Sequence, residues 1–279
     1  KVHATTYFRS KVFSLYFLAV SLFGLCRRRT PEPAARLRRF AVLIAARNEE
    51  SCIAGLIESL RAQHYPPELV DIWVLPNNCT DRTAEAARRA GAQVLEMPAS
   101  VRSKGAALHT AAKALLRSTR NYDAFCVFDA DNEADPAFLS EMNRALDRTA
   151  IVKSRILAKN RTQAGISACY EIYFCSANHF LNRAREAMGL SARVIGTGFA
   201  IRRDLLEALD GFPCRTLTED AELYAACLCR GARIGYCETA VTYDEEPVTW
   251  RASLVQRRRW MSGILQVARL TLPELVRNF

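Results

Sequence analysis

Two periods of apolar residues alternate along the chain. Phe40-Ala41-Val42-Leu43-Ile44-Ala45 is a continuous apolar run, the pattern of a strand covered on both faces. After it, Ile53, Leu56, Ile57 and Leu60 recur at helical spacing, which predicts an amphipathic helix that stops before Pro66-Pro67. Val70 to Leu75 predicts the next strand, and Thr80-Asp81 caps a helix ending at Gly91. Gln93 to Leu95 reads as a short strand and Gly105 to Leu116 as a helix. Ala124-Phe125-Cys126-Val127-Phe128 predicts a buried strand that delivers Asp129. Asp135-Pro136 then opens another helix, as N-cap followed by a proline in the first helical position. This alternation predicts an α/β chain with a mostly parallel twisted sheet flanked by helices. In such sheets the ligand sits at the carboxyl ends of the strands. Polar clusters fall at those ends: Arg47-Asn48-Glu49, Asn77-Asn78 and Asp129 to Asn132.

The ends of the chain follow other patterns. Val12 to Cys26 is apolar apart from two serines and a tyrosine, preceded by Lys11 and followed by Arg27-Arg28-Arg29. Its 15 residues fall short of the roughly 20 needed to cross a bilayer, and three arginines are the wrong flank for signal-peptide cleavage. A membrane anchor or interfacial helix is expected, with the arginines and the domain after them on the cytosolic side; a helix packed on the core is the alternative. Thr30 to Arg39, with two prolines and three arginines, reads as a linker. The expected organisation is an N-terminal anchor and linker over 1–39, an α/β domain over 40–248 and an interfacial helical segment over 249–279.

Composition narrows the frame. A chain of 279 residues that is 50% hydrophobic buries one substantial core rather than two. The net charge of +10 suits nucleic acid, an anionic membrane surface or an anionic substrate without choosing among them. Ten cysteines are scattered through apolar runs with no CxxC pair, which points to reduced thiols in a cytosolic compartment. The four histidines share no metal-ligand spacing.

Three polar constellations carry the candidate chemistry. Asp129-Ala130-Asp131 ends a buried strand, where hard carboxylate oxygens would hold a divalent ion against a diphosphate. Read alone, the pair is better taken as ordinary turn acids at a strand end. Thr218-Glu219-Asp220 offers a carboxylate to take a proton from an acceptor hydroxyl, and as first-turn acids the same residues would also suit a helix dipole. Gln256-Arg257-Arg258-Arg259-Trp260 offers guanidinium forks for phosphate oxygens and an indole face for a sugar ring. A basic helix lying on lipid would read the same way, Arg257 and Arg258 above all. Lys104, after a serine and before a glycine at a helix start, is placed to meet phosphate; a solvated lysine is the plainer reading. Gly196-Thr197-Gly198 lacks the full dinucleotide fingerprint and is assigned to the acceptor pocket.

These elements together, VLIAARNEE, PNNCTDRT, the SKG around Lys104, FDADN, TLTED and QRRRW, resemble family 2 glycosyltransferases of the GT-A fold over about 40–263. The similarity is to the branch that includes cellulose, chitin and hyaluronan synthases. The resemblance implies an inverting, metal-dependent transferase that moves a sugar from a nucleotide sugar, expected to be a UDP-sugar, with Mg2+ or Mn2+ as cofactor. It implies Asp131 as metal ligand, with Asp129 acting through water or against the ribose, and Asp220 as general base. Ala45, Arg47, Glu49, Asn78, Lys104, Asp129, Asp131 and Arg259 would bind the nucleotide sugar, Arg259 at the leaving diphosphate. Gly196, Thr197, Glu219, Gln256 and Trp260 would line the acceptor end. The acceptor would be a carbohydrate or a lipid, in polysaccharide or glycolipid synthesis at the cytosolic membrane face.

The chain departs from many relatives at Asn77-Asn78, where paired aspartates are usual and one reads the nucleobase. An amide can still pair with a base edge, so uracil is not the only candidate. A sugar nucleotidyltransferase would need a glycine-rich basic phosphate loop, which VLIAARNEE does not supply. A nucleic-acid-binding module gives no reason for the buried-strand acids. A catalytically silent relative that organises a membrane complex is the remaining alternative.

Overall fold

The computed structural model describes residues 2–25, 33–213 and 215–278. A helix α1 (Val2–Phe23) precedes the domain. Strand and helix then alternate as β1 (Phe40–Ala46), α2 (Ile53–Arg61), β2 (Val70–Pro76), α3 (Thr83–Arg89), β3 (Gln93–Val94), α4 (Lys104–Leu116) and β4 (Ala124–Asp129). The two-residue β5 (Glu133–Ala134), α5 (Phe138–Ala145) and β6 (Ile151–Ala158) follow. A long helical excursion comes next: α6 (Gly165–Ser176), a π-helical stretch (Ala177–Arg183) and α7 (Ala184–Ala187). The chain closes with β7 (Phe199–Arg202), α8 (Arg203–Ala208), α9 (Glu219–Cys229), β8 (Ile234–Asp244) and α10 (Trp250–Asn278).

The continuous apolar run of β1 has its reason in the two layers that cover it. Val42 and Ile44 face Ile53, Leu56, Ile57 and Phe138 on one side of the sheet. Ala41 and Leu43 face Leu108 and Ala111 on the other, beside Phe125 of the adjacent β4. Burial of both faces removes the polar positions that a half-exposed strand would show.

Eight strands form one sheet in the order β3-β2-β1-β4-β7-β6-β8-β5. The expected parallel pairing holds for β3, β2, β1 and β4. Beyond β4 the expectation needs correction, because the sheet is mixed. β7 runs antiparallel to both β4 and β6, β6 and β8 are parallel, and β5 returns antiparallel on β8. β7 enters from the helical excursion and has only four residues, too few for a period to declare its direction.

Two predicted helix starts shift inward while their caps keep their task. Asp81 Oδ1 accepts from Thr83 N at 3.1 Å ahead of α3. Asp135 Oδ1 accepts from Ala137 N at 2.9 Å ahead of α5.

The N-terminal expectation is only partly met. No helix among the described residues is long and apolar enough to cross a membrane. Arg9 and Lys11 lie inside α1 and break its apolar run. α1 packs against the π-helical stretch, with Val20 buried and Leu15, Leu18 and Leu22 exposed. Cys26 and Arg27-Arg28-Arg29 lie outside the described residues. The end of the expected linker is built into the domain: Arg38 is buried, donating to Asn143 O at 2.8 Å and Asp147 Oδ1 at 2.6 Å.

Candidate active site

Strand ends and helix starts converge on one rim of the sheet. Lys104, the first residue of α4, lies behind Ser103, whose hydroxyl caps the helix by accepting from Ala106 N. Its ammonium donates to Asp129 Oδ1 at 2.5 Å and to the Gly196 carbonyl at 2.6 Å, and pairs with Glu219 Oε1 at 3.2 Å. Two hydrogen-bond acceptors and one ion-paired carboxylate thus surround the ammonium. Burial opposes its charge, but Asp129, Glu219 and Asp220 raise its pKa beyond the ordinary lysine range. A Cβ placed on Gly196 would stand 3.4 Å from Lys104 Nζ, 3.7 Å from Glu219 Oε1 and 3.8 Å from Asp220 Oδ2. Asp129, expected near the metal through water or against the ribose, the expected base and the glycine segment are therefore neighbours around one lysine. Lys104, expected to meet phosphate, spends its donors inside this cluster.

The loop after β4 is held by side chains. Asp129 N donates to Thr197 Oγ1 at 3.0 Å and to Asn132 Oδ1 at 3.2 Å. Thr197 in turn donates to Asn132 Oδ1, and Asn132 Nδ2 donates to Asp244 Oδ1 at 2.6 Å. Thr197, expected in the acceptor pocket, is buried and its hydroxyl is engaged in this network.

The site crowds negative charge. Burial and then the charge of Asp129 push Asp131 up to about 7. Burial, with Asp131 and Asp129 beside it, pushes Asp244 up to about 8. Glu246, 4% exposed, is pushed up to about 9 by burial and then by the charge of Asp244. Its Oε1 has no hydrogen-bond partner. Burial also raises Glu219, against the pull of Lys104. Among the described residues, no three His, Cys, Asp or Glu side chains converge to hold a metal by themselves. Asp129 and Asp131 nonetheless fit a hard divalent ion. They offer carboxylate oxygens under mutual repulsion, in the small number typical where phosphate oxygens complete the shell.

On the nucleotide side, Ala45 and Ala46 end β1, Arg47 is exposed, and Asn48, at φ +60°, accepts from Thr80 N at 2.8 Å. Glu49 N donates to Thr83 Oγ1 at 2.8 Å, and its carboxylate accepts from the Cys52 thiol. Asn78, exposed and at φ +52°, donates from Nδ2 to Asn77 Oδ1 at 2.8 Å and to Val101 O at 2.6 Å. Both amide protons are engaged, which leaves Oδ1 to accept.

On the far side, α10 supports the loop that carries Asp220. Gly263 lets α10 approach Thr218 so closely that a Cβ there would meet its side chain at 2.4 to 2.8 Å, and Gln266 Oε1 accepts from Leu217 N at 3.0 Å. Glu222, 3% exposed, accepts from Arg215 N and Thr216 N, both at 2.9 Å. Asp220 follows at the start of α9. Gln256 accepts from Tyr170 OH at 2.8 Å, and the half-buried Trp260 meets the Tyr170 ring edge-on at 6.3 Å. Trp260 and Ile195, the neighbour of Gly196, both pack against the cluster of Ile156, Tyr170 and Phe174. Arg257 stacks over Tyr170 at 5.3 Å, and Arg258 and Arg259 are exposed. The outer face of α10 exposes Trp250, Leu254, Met261, Leu265, Leu272 and Val276, which helical periodicity sets in one stripe beside Arg251, Arg258 and Arg269.

Sequence reasoning missed Asp244, Glu246, Tyr170 and the buried Lys153. The run Asp244-Glu245-Glu246 shortly before QRRRW was the available signal for the first two; no spacing rule marks the others.

Comparison with known proteins gives a consistent result. The family described as Glycosyltransferase like family 2 matches residues 38–263. A probable glycosyltransferase, YdaM of Bacillus subtilis, is 28% identical over 83% of this chain and 56% of its own length. A beta-monoglucosyldiacylglycerol synthase of Synechocystis is 27% identical over 80% of this chain and 47% of its own. The chain thus spans about half the length of these curated relatives. The solved mannosyltransferase PcManGT of Pyrobaculum calidifontis, in complex with GDP-Man and Mn2+, superposes with a TM-score of 0.75 at 20% identity. That superposition covers 97% of this chain and 74% of PcManGT, and it shows the same fold.

Proposed function

Because the chain belongs to the glycosyltransferase-like family 2, we propose that it transfers a sugar from a nucleotide sugar to an acceptor hydroxyl, with inversion and with Asp220 as base. The observation that carries this reading is the convergence of Asp129, Glu219 and Asp220 around Lys104. The acceptor oxygen bonds to the anomeric carbon as its proton passes to the Asp220 carboxylate. The anomeric C–O bond breaks on the opposite face, and its electron pair leaves with the nucleoside diphosphate. Asp129 and Asp131 would hold Mg2+ or Mn2+, which supplies Lewis-acid stabilisation of the charge on the leaving diphosphate. Arg259 would grip the same diphosphate by paired hydrogen bonds.

Asn78 is placed to read the base. With both amide protons engaged, its carbonyl would accept from an N–H of the base edge, the ring N–H of uracil or guanine or the exocyclic amine of guanine, cytosine or adenine. The mannosyltransferase and glucosyldiacylglycerol synthase names among the relatives agree with nucleotide-sugar chemistry.

The exposed stripe of α10, flanked by arginines, favours an interfacial site on the cytosolic membrane face and a lipid acceptor over a growing polysaccharide. The test is a donor screen with UDP-glucose, UDP-N-acetylglucosamine and GDP-mannose, with Mn2+ and diacylglycerol-containing vesicles. One donor should be consumed, and Asp220→Asn should lose transfer while keeping nucleotide binding. A wild-type protein that consumes none of the donors would overturn the reading in favour of a silent scaffold.

A further inference from the structure

Beneath the site lies a charged residue that the reaction described above does not use. Lys153 sits on β6 with 1% of its surface exposed. Its ammonium donates to the Gly198 carbonyl at 3.1 Å and to Ser154 Oγ at 3.3 Å rather than to a carboxylate. Burial pushes it down to about 7. Asp244 at the end of β8, Asp129 at the end of β4 and Asp220 on α9 face it and oppose that fall. An ammonium buried without an ion-pair partner costs folding free energy. Methionine would fill much the same space without that cost, so folding alone gives no reason for a lysine here.

What Lys153 grips supplies the reason. The Gly198 carbonyl ends the segment Gly196-Thr197-Gly198, and Lys104 grips its other end through the Gly196 carbonyl at 2.6 Å. Between the two lysines, Thr197 Oγ1 accepts from Asp129 N at 3.0 Å. Gly198 is at φ +59°, and a Cβ there would meet Thr242 Oγ1 at 2.5 Å and Ser154 Oγ at 2.6 Å. Only glycine fits this turn, and the segment has no room to slide.

We infer that Lys153 is a positioning residue of the transfer site: from beneath, it holds Gly196-Thr197-Gly198 and, through Thr197, keeps the backbone of Asp129 in register with Asp220. It touches no reacting atom. The inference rests on the glycosyl-transfer reading above.

The test compares wild type, Lys153→Met and Lys153→Arg in the full chain. It measures thermal midpoint, calorimetric binding of the donor's nucleoside diphosphate with Mn2+, and kcat and KM for the donor that wild type uses. Lys153→Met should keep or raise the midpoint and hold KM and diphosphate affinity within about threefold. It should lower kcat by about 10- to 100-fold, the effect expected when reacting groups shift by a fraction of an ångström to an ångström. Lys153→Arg, which retains charge and donors, should recover part of kcat. Wild-type kcat in Lys153→Met, or a rise in KM with kcat unchanged, would overturn the inference. Should Lys153→Met not fold, Ser154→Ala removes one acceptor of the ammonium with little loss of volume. It should lower kcat with only the small midpoint loss that goes with its bond to Thr242 Oγ1, and an unchanged kcat would overturn the inference as well. Failure of wild type to turn over any nucleotide sugar would overturn both this inference and the reading it rests on. Failure confined to the variants would overturn this one alone.

Discussion

The two halves of the sheet meet at β4 and are built by different rules. From β3 to β4 the strands are parallel, their interior is apolar, and charge is kept to the strand ends, Asp71 at one and Asp129 at the other. From β7 to β5 the strands are mixed, and charge and hydroxyls lie inside: Lys153, Ser154, Thr242 and Glu246 are all buried. The first half gives a stiff frame that presents Asp129 and Asp131. The second gives a polar floor that holds those acids against Asp220. Apolar packing is strong and indifferent to orientation, whereas hydrogen bonds are weaker and directional. The frame therefore carries stability, and the floor carries geometry.

The comparison can be broken in several ways. The largest effect should come from the rim. Asp131→Ala should weaken Mn2+-dependent nucleotide binding by about 100-fold or more, read by calorimetry with and without the ion; unchanged binding would remove Asp131 from the proposed metal site. Next comes the apolar frame. Phe128 is fully buried against Phe138, and Phe128→Ala should cost about 3–5 kcal/mol in urea unfolding. The floor should respond less to the same measurement. Thr242 Oγ1 lies 3.1 Å from Ser154 Oγ, and Thr242→Val should cost about 1 kcal/mol. Equal costs would erase the distinction between frame and floor.

A further effect is a pH slope. Glu246 is raised from its ordinary 4.5 to about 9, so between those values the folded protein holds a proton that the unfolded chain has released. Stability from this group is present at low pH and falls as pH rises. Lys153 is lowered from 10.5 to about 7 and acts oppositely across that interval, because there the unfolded chain holds the extra proton. From about pH 5 to about pH 7 Glu246 therefore acts without that opposition. Thermal midpoints of the metal-free protein should decline across that interval, and Glu246→Gln should flatten the decline. A midpoint that rises in wild type would contradict the buried neutral acid.

How much could be read from the chain follows the same division. β1, β2, β4, α2 and α4 were legible because burial on both faces, or on one helical face, leaves a period in the residues themselves. Asp129, Asp131, Glu219 and Asp220 were legible through motifs. Lys153 and Glu246 were not, since a charged residue in a sequence looks exposed until its neighbours are known. Lys104 was placed at a helix start, as found, but its partners come from the segment at 196 and the helix at 219, and local spacing cannot rank such contacts.

By itself, the sequence determined the α/β class, the strand ends where chemistry gathers, and the family. Each of these depends on residues close together in the chain or on motifs in a set order. Only the tertiary structure decided that the sheet is mixed, that Arg38 belongs to the domain, and that Thr197 faces inward to hold Asp129. It also decided that Lys104 within the site and Lys153 beneath it hold the same tripeptide. The reason is physical. Strand direction beyond β4, and the charge state of buried groups, depend on contacts between residues dozens of positions apart, and those contacts exist only once the chain has closed on itself.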